Sequence, residues 1–450
     1  MRAMAAAAAI TVLASCNGGA SPPLPNPQAF TALRSLHRHA SSPIQHVVVI
    51  VQENRSFNNL FYGYPGARTS KYGYDSKGNK IELQPIDLDT AWDVDHNSAA
   101  FFDGCNGAGS VPGTMCRMNG FDTETWTCGH SGQPPCPFQD PPYSYVKRSE
   151  VEPYFEMAKQ YVLADEMFSS NFDGSFVSHQ YLIAGQSNSA VDYPQTLWGC
   201  PGGPSDTVET INSARQIGNP IPACWDVRTL GDELDDAGLS WAYYASSLKD
   251  DDGAIWSAYQ AIEHIYNGPD WSNDVISPQT QFFADVSGGN LRTVSWITPT
   301  CENSDHAGCD KTTGPSWVAS LVNAIGQSNY WDSTAIFILW DDWGGWYDPV
   351  APKTLDYDGL GIRVPLLIVS AYAKAHHVSH VHLEHGSILR FIEDQFGLGR
   401  LAASDRRATS PQHDAFDFGK PPRAFVTIPS DYGIPYFKHQ PLDKRLPDSE

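Results

Sequence analysis

Basic residues are scarce in this 450-residue chain, which has 29 Lys and Arg against 51 Asp and Glu and a formal net charge of −22. A protein that binds nucleic acid needs a basic face for the phosphates, so this balance argues against such a partner. Charged residues of both signs make up only 18% of the chain, whereas 41% of the residues are hydrophobic and 12% are aromatic. That composition is typical of a globular protein with a large core and excludes a disordered chain.

The apolar stretch near the N-terminus is too short to cross a membrane. It runs from residue 5 to residue 14 (AAAAAITVLA), whereas a spanning helix needs about 20 residues. An apolar stretch of this length is typical of a signal peptide. It leads into the sequence LASC, which resembles a bacterial lipobox, so we predict a lipoprotein signal peptide at residues 1–15 and lipidation of Cys16. The alternatives are a secretory signal cleaved nearby and a buried helix.

The segment after Cys16 is rich in Pro, Gly and Ser, which predicts a flexible tether at residues 16–42. Beyond it, no internal repeat, coiled-coil heptad or linker-like stretch divides the chain. We therefore expect a single domain at residues 43–450. We also expect an exported protein, either held in the cell envelope by an N-terminal lipid anchor in a membrane or secreted.

The cysteines include no CxxC pair, which argues against a zinc site. If Cys16 carries lipid, eight of the nine cysteines remain, and an even number indicates disulfides formed in an oxidising compartment. The eight are Cys105, Cys116, Cys128, Cys136, Cys200, Cys224, Cys301 and Cys309. Their spacing indicates four local pairs, Cys105 with Cys116, Cys128 with Cys136, Cys200 with Cys224 and Cys301 with Cys309, although eight cysteines allow 105 connectivities.

Short apolar runs alternate with helical patterns along the chain. The runs predict strands at His46–Val51, Leu239–Ala245, Val294–Ile297, Ala335–Leu339 and Val364–Val369. The helical patterns lie at Tyr154–Tyr161, Thr229–Ala237, Ile255–Tyr266, Ser316–Ile325 and His385–Phe396. Strands that are apolar on both faces and alternate with helices indicate an α/β fold with a buried, mostly parallel sheet.

Two of these predicted strands run directly into acidic clusters. The first is followed by Glu53 and Asn54, and the strand near residue 340 is followed by Asp341 and Asp342. In a parallel sheet, functional groups collect beyond the carboxyl ends of the strands. Carboxylate and amide oxygens are ligands for hard divalent cations, so the two clusters could converge on one ion. The alternative is that these residues only form turns or helix caps.

Residues 44–67 (IQHVVVIVQENRSFNNLFYGYPGA) resemble the opening signature of a bacterial phosphoesterase family. This family includes phospholipases C and certain acid phosphatases, and it is related to the alkaline phosphatase superfamily. Further similar segments follow in the same order at residues 93–96, 163–185, 282–299, 304–306, 338–352, 363–374 and 385–398. The resemblance implies an alkaline phosphatase-like three-layer α/β/α sandwich around a mostly parallel central sheet, and a phosphoesterase domain.

The resemblance also implies a set of site residues. The implied metal ligands are Glu53, Asn54, Ser175, Asp341 and Asp342. They would hold one divalent ion, with calcium, magnesium, manganese and zinc all open, although an all-oxygen set leans towards the first three. The implied catalytic residues are Ser175, His96, His306 and Asp305. Ser178 is the alternative to Ser175 as the nucleophile.

These residue types fit phosphoryl transfer. Coordination to a cation favours the alkoxide of a serine hydroxyl, which can then attack phosphorus and form a phosphoserine that water hydrolyses. Histidines can donate to phosphoryl oxygens and protonate the leaving alkoxide. We therefore expect a metal-dependent phosphoesterase that acts on phosphate esters and resembles phospholipase C, with phosphatidylcholine-type diesters as the leading substrates. The phospholipid headgroup would then be its partner.

Several alternatives remain open at this point. One is an acid phosphatase acting on phosphomonoesters, and another is a non-catalytic lipoprotein that binds phosphate ligands. A sulfatase is disfavoured because the chain has no C/S-x-P-x-R pattern. Trp343, Trp346 and Tyr347 could offer aromatic faces to a choline ammonium, or they could pack in the core. The histidine-rich residues 376–385 could bind zinc, but the resemblance favours a loop and a helix start there.

Overall fold

An eight-stranded sheet forms the centre of the computed structural model, which describes residues 42–194, 197–247, 254–309 and 313–441. The predicted signal peptide, Cys16 and all but the last residue of the predicted tether lie outside the described residues. Within them, no helix is long and apolar enough to cross a membrane. The strands of the central sheet are β1 (His46–Gln52), β2 (Val162–Ala164), β3 (Trp241–Tyr244), β4 (Val275–Ile276), β5 (Val294–Ile297), β6 (Thr334–Trp340), β7 (Leu366–Ser370) and β8 (His377–Ser379).

The strand order is β4-β3-β5-β1-β6-β7-β2-β8. Strand β7 is antiparallel to both of its neighbours, and the other adjacent pairs are parallel. The two central strands, β1 and β6, consist mainly of β-branched and other large apolar residues and are almost completely buried. Such side chains favour extended backbone and pack well on both faces of a covered sheet. The predicted mostly parallel sheet is therefore confirmed.

The helices are short to medium in length. They are α1 (Phe57–Leu60), α2 (Ser98–Cys105), α3 (Glu152–Gln160), α4 (Ser175–Ala184), α5 (Leu230–Asp236), α6 (Glu263–Tyr266), α7 (Asp270–Asn273), α8 (Gln281–Gly288), α9 (Gly314–Gly326), α10 (His385–Phe396), α11 (Ala403–Arg407), α12 (Gln412–Ala415) and α13 (Ile434–His439). Of the predicted helices, α5 begins with the expected capping box, in which Thr229 and Asp232 bond to each other's backbone N–H.

Helices cover both faces of the central sheet. On β6, the Phe337 ring lies 5.0 Å from Phe391 of α10, whereas the Trp340 ring lies 4.9 Å from Tyr154 of α3. Residues 337 and 340 differ in parity, so their side chains point to opposite faces of the sheet. Helix α9 packs on α3, and α4 packs on α10. The expected three-layer α/β/α sandwich is therefore confirmed.

The helix predicted at Ile255–Tyr266 is broken into two 3-10 turns, Ala254–Trp256 and Ala258–Ala261, followed by α6. The reason is tertiary. The Tyr243 hydroxyl binds the carbonyl of Trp256 and the N–H of Ala258, two groups that a continuous helix would use itself. The apolar periodicity of the segment indicated burial correctly but not a regular helix.

Small sheets and disulfides organise the loops outside the central sheet. The additional strands are Tyr72–Tyr74 with Lys80–Glu82, Gln84–Ile86 with Ser144–Val146, Met167–Phe168 with Leu383–Glu384, and Thr207–Thr210 between Ala190–Val191 and Ile221–Pro222. The four disulfides are Cys105–Cys116, Cys128–Cys136, Cys200–Cys224 and Cys301–Cys309. The predicted disulfides are therefore present, and each joins neighbouring cysteines as the spacing indicates.

Candidate active site

The two acidic clusters meet at one edge of the central sheet. Strands β1 and β6 are paired in register to their last residues, and the Asp341 N–H donates to the Gln52 carbonyl at 3.1 Å. Glu53 and Asn54 therefore lie beside Asp341 and Asp342, and all four side chains are buried. The sequence pattern predicted this convergence, because parallel strands carry their carboxyl ends to the same edge.

A close approach between the two loops fixes the position of Asp342. The Gly344 N–H donates to Asp342 Oδ1 at 2.7 Å, and Gly344 has a φ of +60°. A Cβ at this position would lie 2.2 Å from the Asn54 carbonyl oxygen. Only glycine combines this backbone conformation with this contact, so the glycine after Trp343 holds the two acidic loops together.

Ser175 brings a hydroxyl into this cluster from the first turn of α4. The helix begins after Gly174 and ends at Ala184, and the next residue, Gly185, has left-handed backbone. Ser175 Oγ accepts from Asn54 Nδ2 at 3.0 Å, and it can donate its proton to Glu53 Oε2 at 3.2 Å or to Asp342 Oδ2 at 3.3 Å.

The alternative serine, Ser178, lies elsewhere. Its hydroxyl contacts Asn171 Nδ2 at 3.2 Å and the Asp173 carbonyl at 3.4 Å. These contacts lie within the turn before α4 and at the start of the helix, apart from the four residues at the sheet edge. The structure therefore brings Ser175, and not Ser178, to the acidic cluster.

Several oxygens of the cluster are buried without a hydrogen-bond partner among the described residues. They are both carboxylate oxygens of Asp341 and the amide oxygen of Asn54. Burial, and then the nearby charge of Glu53, raise the pKa of Asp341 well above its usual value. Three carboxylates, an amide oxygen and a hydroxyl in one buried place are a donor set that fits a divalent cation.

His179 also joins the cluster, although the sequence analysis did not single it out. Its Nε2 lies 2.9 Å from Glu53 Oε1 and 3.7 Å from Asp341 Oδ2. One ligand atom from each of these three residues lies within 4.8 Å of the other two. Ser175 and His179 are four residues apart on one helix, a spacing that places both side chains on the same face. That spacing was the signal available in the sequence.

The structure places His96 and His306 next to each other at the cluster. His96 Nε2 lies 2.9 Å from Asn54 Nδ2, and its Nδ1 lies 2.9 Å from the Val94 carbonyl. The ring centroids of the two histidines are 5.5 Å apart, and the His306 ring stacks on Trp256 at 5.9 Å. His306 Nε2 is buried and has no hydrogen-bond partner among the described residues.

The structure does not bring the Asp305 carboxylate to Ser175. Its Oδ2 accepts from the Tyr154 hydroxyl at 2.8 Å and from Trp340 Nε1 at 3.0 Å. Its backbone N–H donates to Gln52 Oε1 at 3.0 Å. Burial raises the pKa of Asp305 to about 7. These contacts make Asp305 an anchor for the loop that carries His306.

The aromatic residues after Asp342 are core residues. The Arg55 guanidinium covers the Trp346 ring at 4.8 Å, and Tyr347 stacks on Tyr143 at 5.0 Å. Trp343 is fully buried. Because the chain's own side chains occupy these rings, the structure favours core packing over a choline contact for all three.

The histidine-rich residues 376–385 do not converge on one point. His377 Nε2 lies 3.0 Å from Asp414, and His380 Nδ1 lies 2.8 Å from Asp165. Among the described residues, the only group of three possible metal ligands of the His, Cys, Asp and Glu types is the one at Glu53. The structure therefore favours the expected helix start at His385 over a zinc site, but His377–Ser379 and Leu383–Glu384 form short strands where a loop was expected.

Comparison of the sequence with known proteins gives matches to phosphoesterases. The model of the phosphoesterase family matches residues 44–399. The chain is 24% identical over 452 residues to a non-hemolytic phospholipase C of Pseudomonas aeruginosa, covering 88% of this chain and 60% of that protein. It is 23% identical over 429 residues to phospholipase C A of Mycobacterium tuberculosis, covering 85% of this chain and 78% of the relative. The chain thus spans about 60% of the length of the Pseudomonas protein.

Solved structures with some similarity include a protein in the alkaline phosphatase superfamily from Vibrio parahaemolyticus, with a TM-score of 0.36, 10% identity and coverage of 82% of this chain and 71% of the other. The sulfatase PsFucS1 of Pseudoalteromonas sp. has a TM-score of 0.41 and is 11% identical in sequence. The match covers 89% of this chain and 78% of the sulfatase. The sequence matches confirm the resemblance to phosphoesterases and the expectation of a hydrolase for phosphate esters.

Proposed function

Since this chain belongs to the phosphoesterase family, we propose that it is a metal-dependent hydrolase of phospholipase C type, with Ser175 as its nucleophile. The observation that carries the proposal is the position of Ser175 Oγ, within 3.3 Å of Glu53, Asn54 and Asp342 at the N-terminus of α4. The proposed substrates are phosphatidylcholine-type diesters. The relatives are named as phospholipases C, and a zwitterionic headgroup suits a protein with a net charge of −22.

The residues that would hold a divalent cation are Glu53, Asn54, Ser175, Asp341 and Asp342. The buried, unpartnered oxygens of Asp341 and Asn54 support this assignment, because burying such groups is costly unless a ligand satisfies them. A bound cation would favour the alkoxide of the serine and offset the charge of the phosphoryl oxygens. Calcium, magnesium, manganese and zinc all remain compatible with these ligand types.

The chain's own residues supply the rest of the proposed chemistry. Ser175 transfers its proton to Glu53 or Asp342, its Oγ forms a bond to phosphorus, and the ester bond from phosphorus to the leaving oxygen breaks. The leaving alkoxide takes a proton from Nε2 of the doubly protonated His306 ring, and this nitrogen has no hydrogen-bond partner among the described residues. The ring keeps its other proton on Nδ1, which faces the Ala307 carbonyl and lies 3.9 Å from Asp93 Oδ2. The N–H groups at the start of α4 favour the negative charge of the phosphoryl group. Water then attacks the phosphoserine and gives a proton to His306, the bond from Ser175 Oγ to phosphorus breaks, and Oγ recovers its proton from Glu53 or Asp342.

His96 has a different part in the proposed mechanism. Its Nδ1 faces a backbone carbonyl, which accepts a proton only from an Nδ1–H, so Nε2 is an acceptor for the Asn54 amide in the neutral imidazole. This contact turns the nitrogen of Asn54 towards His96 and Ser175, and it leaves the amide oxygen for the cation.

The test is hydrolysis of two chromogenic substrates, a phosphorylcholine diester and a phosphate monoester, by the full chain. We expect cleavage of the diester, and a loss of at least ~10³-fold in kcat/KM for Ser175→Ala, since a covalent mechanism depends on its nucleophile. Ser178→Ala is the matched control and keeps most of the activity. A chelated sample is expected to lose activity.

The other outcomes separate the alternatives. A preference for the monoester would identify an acid phosphatase instead. If neither substrate is cleaved, the chain is a non-catalytic protein that binds phosphate ligands. Full activity of Ser175→Ala would overturn the nucleophile assignment.

We also propose export with a lipid anchor at Cys16, a tether at residues 16–42 and one phosphoesterase domain at residues 43–450. The four disulfides support an oxidising compartment. Detergent phase partitioning of the full chain and of Cys16→Ser tests the anchor. The native protein is expected in the detergent phase and the variant in the aqueous phase. Identical partitioning would favour a secreted protein.

A further inference from the structure

His179 is a buried imidazole that the proposed chemistry does not use. It lies one helical turn after Ser175, and its side chain is 2% exposed. Its two ring nitrogens have very different surroundings. Nδ1 faces the hydroxyl of Tyr243 on β3 at 3.4 Å, whereas Nε2 faces Glu53 Oε1 at 2.9 Å.

The hydrogen bonds of Tyr243 determine which nitrogen of His179 carries the proton. The Tyr243 hydroxyl donates its only hydrogen to the Trp256 carbonyl at 2.9 Å, and it accepts from the Ala258 N–H at 3.3 Å. Its remaining lone pair can only accept a hydrogen bond, so His179 Nδ1 must be the donor. In a neutral imidazole, Nε2 then carries a lone pair.

That lone pair points at carboxyl oxygens of two acidic residues. Glu53 Oε1 lies 2.9 Å away and Asp341 Oδ2 lies 3.7 Å away. Two lone pairs at such a distance repel unless a positive centre lies between them. The ligand atoms of Glu53, His179 and Asp341 lie within 4.8 Å of one another, so one ion can contact all three. Both oxygens of Asp341 lack a hydrogen-bond partner among the described residues, which agrees with an ion at this point.

We infer that His179 is a nitrogen ligand of the ion in this site, and that Tyr243 is the positioning residue that sets its tautomer. The inference rests on the metal site proposed above. A neutral imidazole suits zinc, copper, iron and nickel, whereas calcium and magnesium prefer oxygen ligands. The site therefore selects a transition ion over calcium and magnesium. An outer partner on the second nitrogen is the usual way in which a ligating histidine is oriented.

The experiment measures the ligands and the affinities directly. Metal-depleted full chain is loaded with Mn²⁺ for pulsed EPR, and Zn²⁺ and Ca²⁺ are titrated by calorimetry. We expect nitrogen coupling from a bound imidazole in the native chain and its loss in His179→Gln. We expect Tyr243→Phe to weaken Zn²⁺ binding by about 10- to 100-fold and to leave Ca²⁺ binding nearly unchanged. Far-UV circular dichroism checks that each variant is folded.

Tyr244→Phe is the matched control. Tyr244 follows Tyr243 on the same strand, and its hydroxyl donates to Asp285 Oδ2 at 2.8 Å on the other face of the sheet. This variant is expected to bind both ions like the native chain. If His179→Gln does not fold, the signal and affinities of Tyr243→Phe decide the question alone.

Three results would overturn the inference. They are the absence of nitrogen coupling in the native chain, an equal loss of Zn²⁺ and Ca²⁺ affinity in Tyr243→Phe, and Ca²⁺ binding at least as tight as Zn²⁺ binding. The first result would show that Nε2 carries a proton and only supports Glu53 from outside. Diester hydrolysis that depends on Ser175 would then leave the proposed function intact, so the two failures are distinguishable.

Discussion

Asp341 and Asp348 lie close together in the chain and are both fully buried, but their surroundings are opposite. Asp348 accepts from the Arg363 guanidinium at 3.0 Å and from the backbone N–H groups of Asn58 at 3.0 Å and Val350 at 2.9 Å. Asp341 has no hydrogen-bond partner for either oxygen among the described residues. A buried carboxylate with a full set of donors is part of the scaffold, whereas one without donors indicates a position for a ligand.

The contrast between these two carboxylates distinguishes a residue that stabilises the fold, Asp348, from one that is placed for a ligand, Asp341. The folding of the chain benefits from the Asp348 contacts, because removal of one partner leaves the other charge buried and unpaired. Asp341 makes no comparable contact, and the charge of a second carboxylate, Glu53, adds to burial in raising the pKa of Asp341. The energetic cost of such an arrangement is offset only when a cation binds.

The largest expected effect is on activity, from Asp341→Asn. This change keeps the shape of the side chain and removes the charge that a cation needs. We expect kcat/KM for the diester to fall by roughly 10³-fold, or about 4 kcal/mol. In the presence of chelator, thermal unfolding of the variant is expected at the native temperature or above it, because an unpaired buried charge has been removed. If Asp341→Asn unfolds at a lower temperature than the native chain in chelator, the Asp341 carboxylate stabilises the fold as Asp348 does, and the contrast between the two residues is wrong.

The next effect is on stability, from Asp348→Asn. Arg363 is fully buried and would lose its counterion, so we expect a loss of about 3 kcal/mol in the free energy of unfolding measured with denaturant. Asp236→Asn is the control, since this carboxylate is 70% exposed in its pair with Arg228. The control is expected to cost less than about 1 kcal/mol. Equal effects of the two substitutions would show that burial does not decide the result.

Asp305 is an intermediate case and gives a pH-dependent prediction. Its Oδ2 has two neutral donors, and burial raises its pKa to about 7. A raised carboxyl pKa means that the folded state binds the proton more tightly. The resulting stabilisation is present at about pH 4 and is lost as the pH rises through 7.

Asp305→Asn removes this titration. Relative to the variant, the native chain is expected to lose on the order of 2 kcal/mol of unfolding free energy between pH 4 and pH 8. If the unfolding free energies of the native chain and of Asp305→Asn change with pH in the same way, the raised pKa of Asp305 is contradicted. Activity provides the control: Asp305→Asn is expected to stay within about tenfold of native activity, whereas His306→Ala loses roughly 10²-fold.

Much of the fold and part of the candidate site could be predicted from local patterns. The apolar runs of β1 and β6 indicated buried parallel strands, and the acidic residues after them were expected at one edge. Helix α10 begins and ends where its sequence pattern predicted, before the left-handed Gly397. These features depend on neighbours in the sequence or on the general geometry of parallel sheets.

Other features could not be predicted because they depend on contacts between distant segments. The His179 imidazole reaches Glu53 from α4, which packs on α10 and on the two 3-10 turns, and Tyr243 meets it from β3. The Asp305 carboxylate turns away from its neighbour His306 because Tyr154 and Trp340 offer it donors on the opposite side. The segment at residues 255–266 gives up a regular helix for the contacts of Tyr243.

The sequence by itself determined the fold class, the strands that carry the acidic residues and the membership of the phosphoesterase family. Each of these depends on residue type and spacing, which act locally or through periodicity. The tertiary structure alone decided which buried polar groups have partners and which do not. Hydrogen bonds from other segments give Asp348 donors for both carboxylate oxygens and give Asp305 donors for Oδ2. Both oxygens of Asp341 and the amide oxygen of Asn54 have no such partner among the described residues, which leaves them for a ligand.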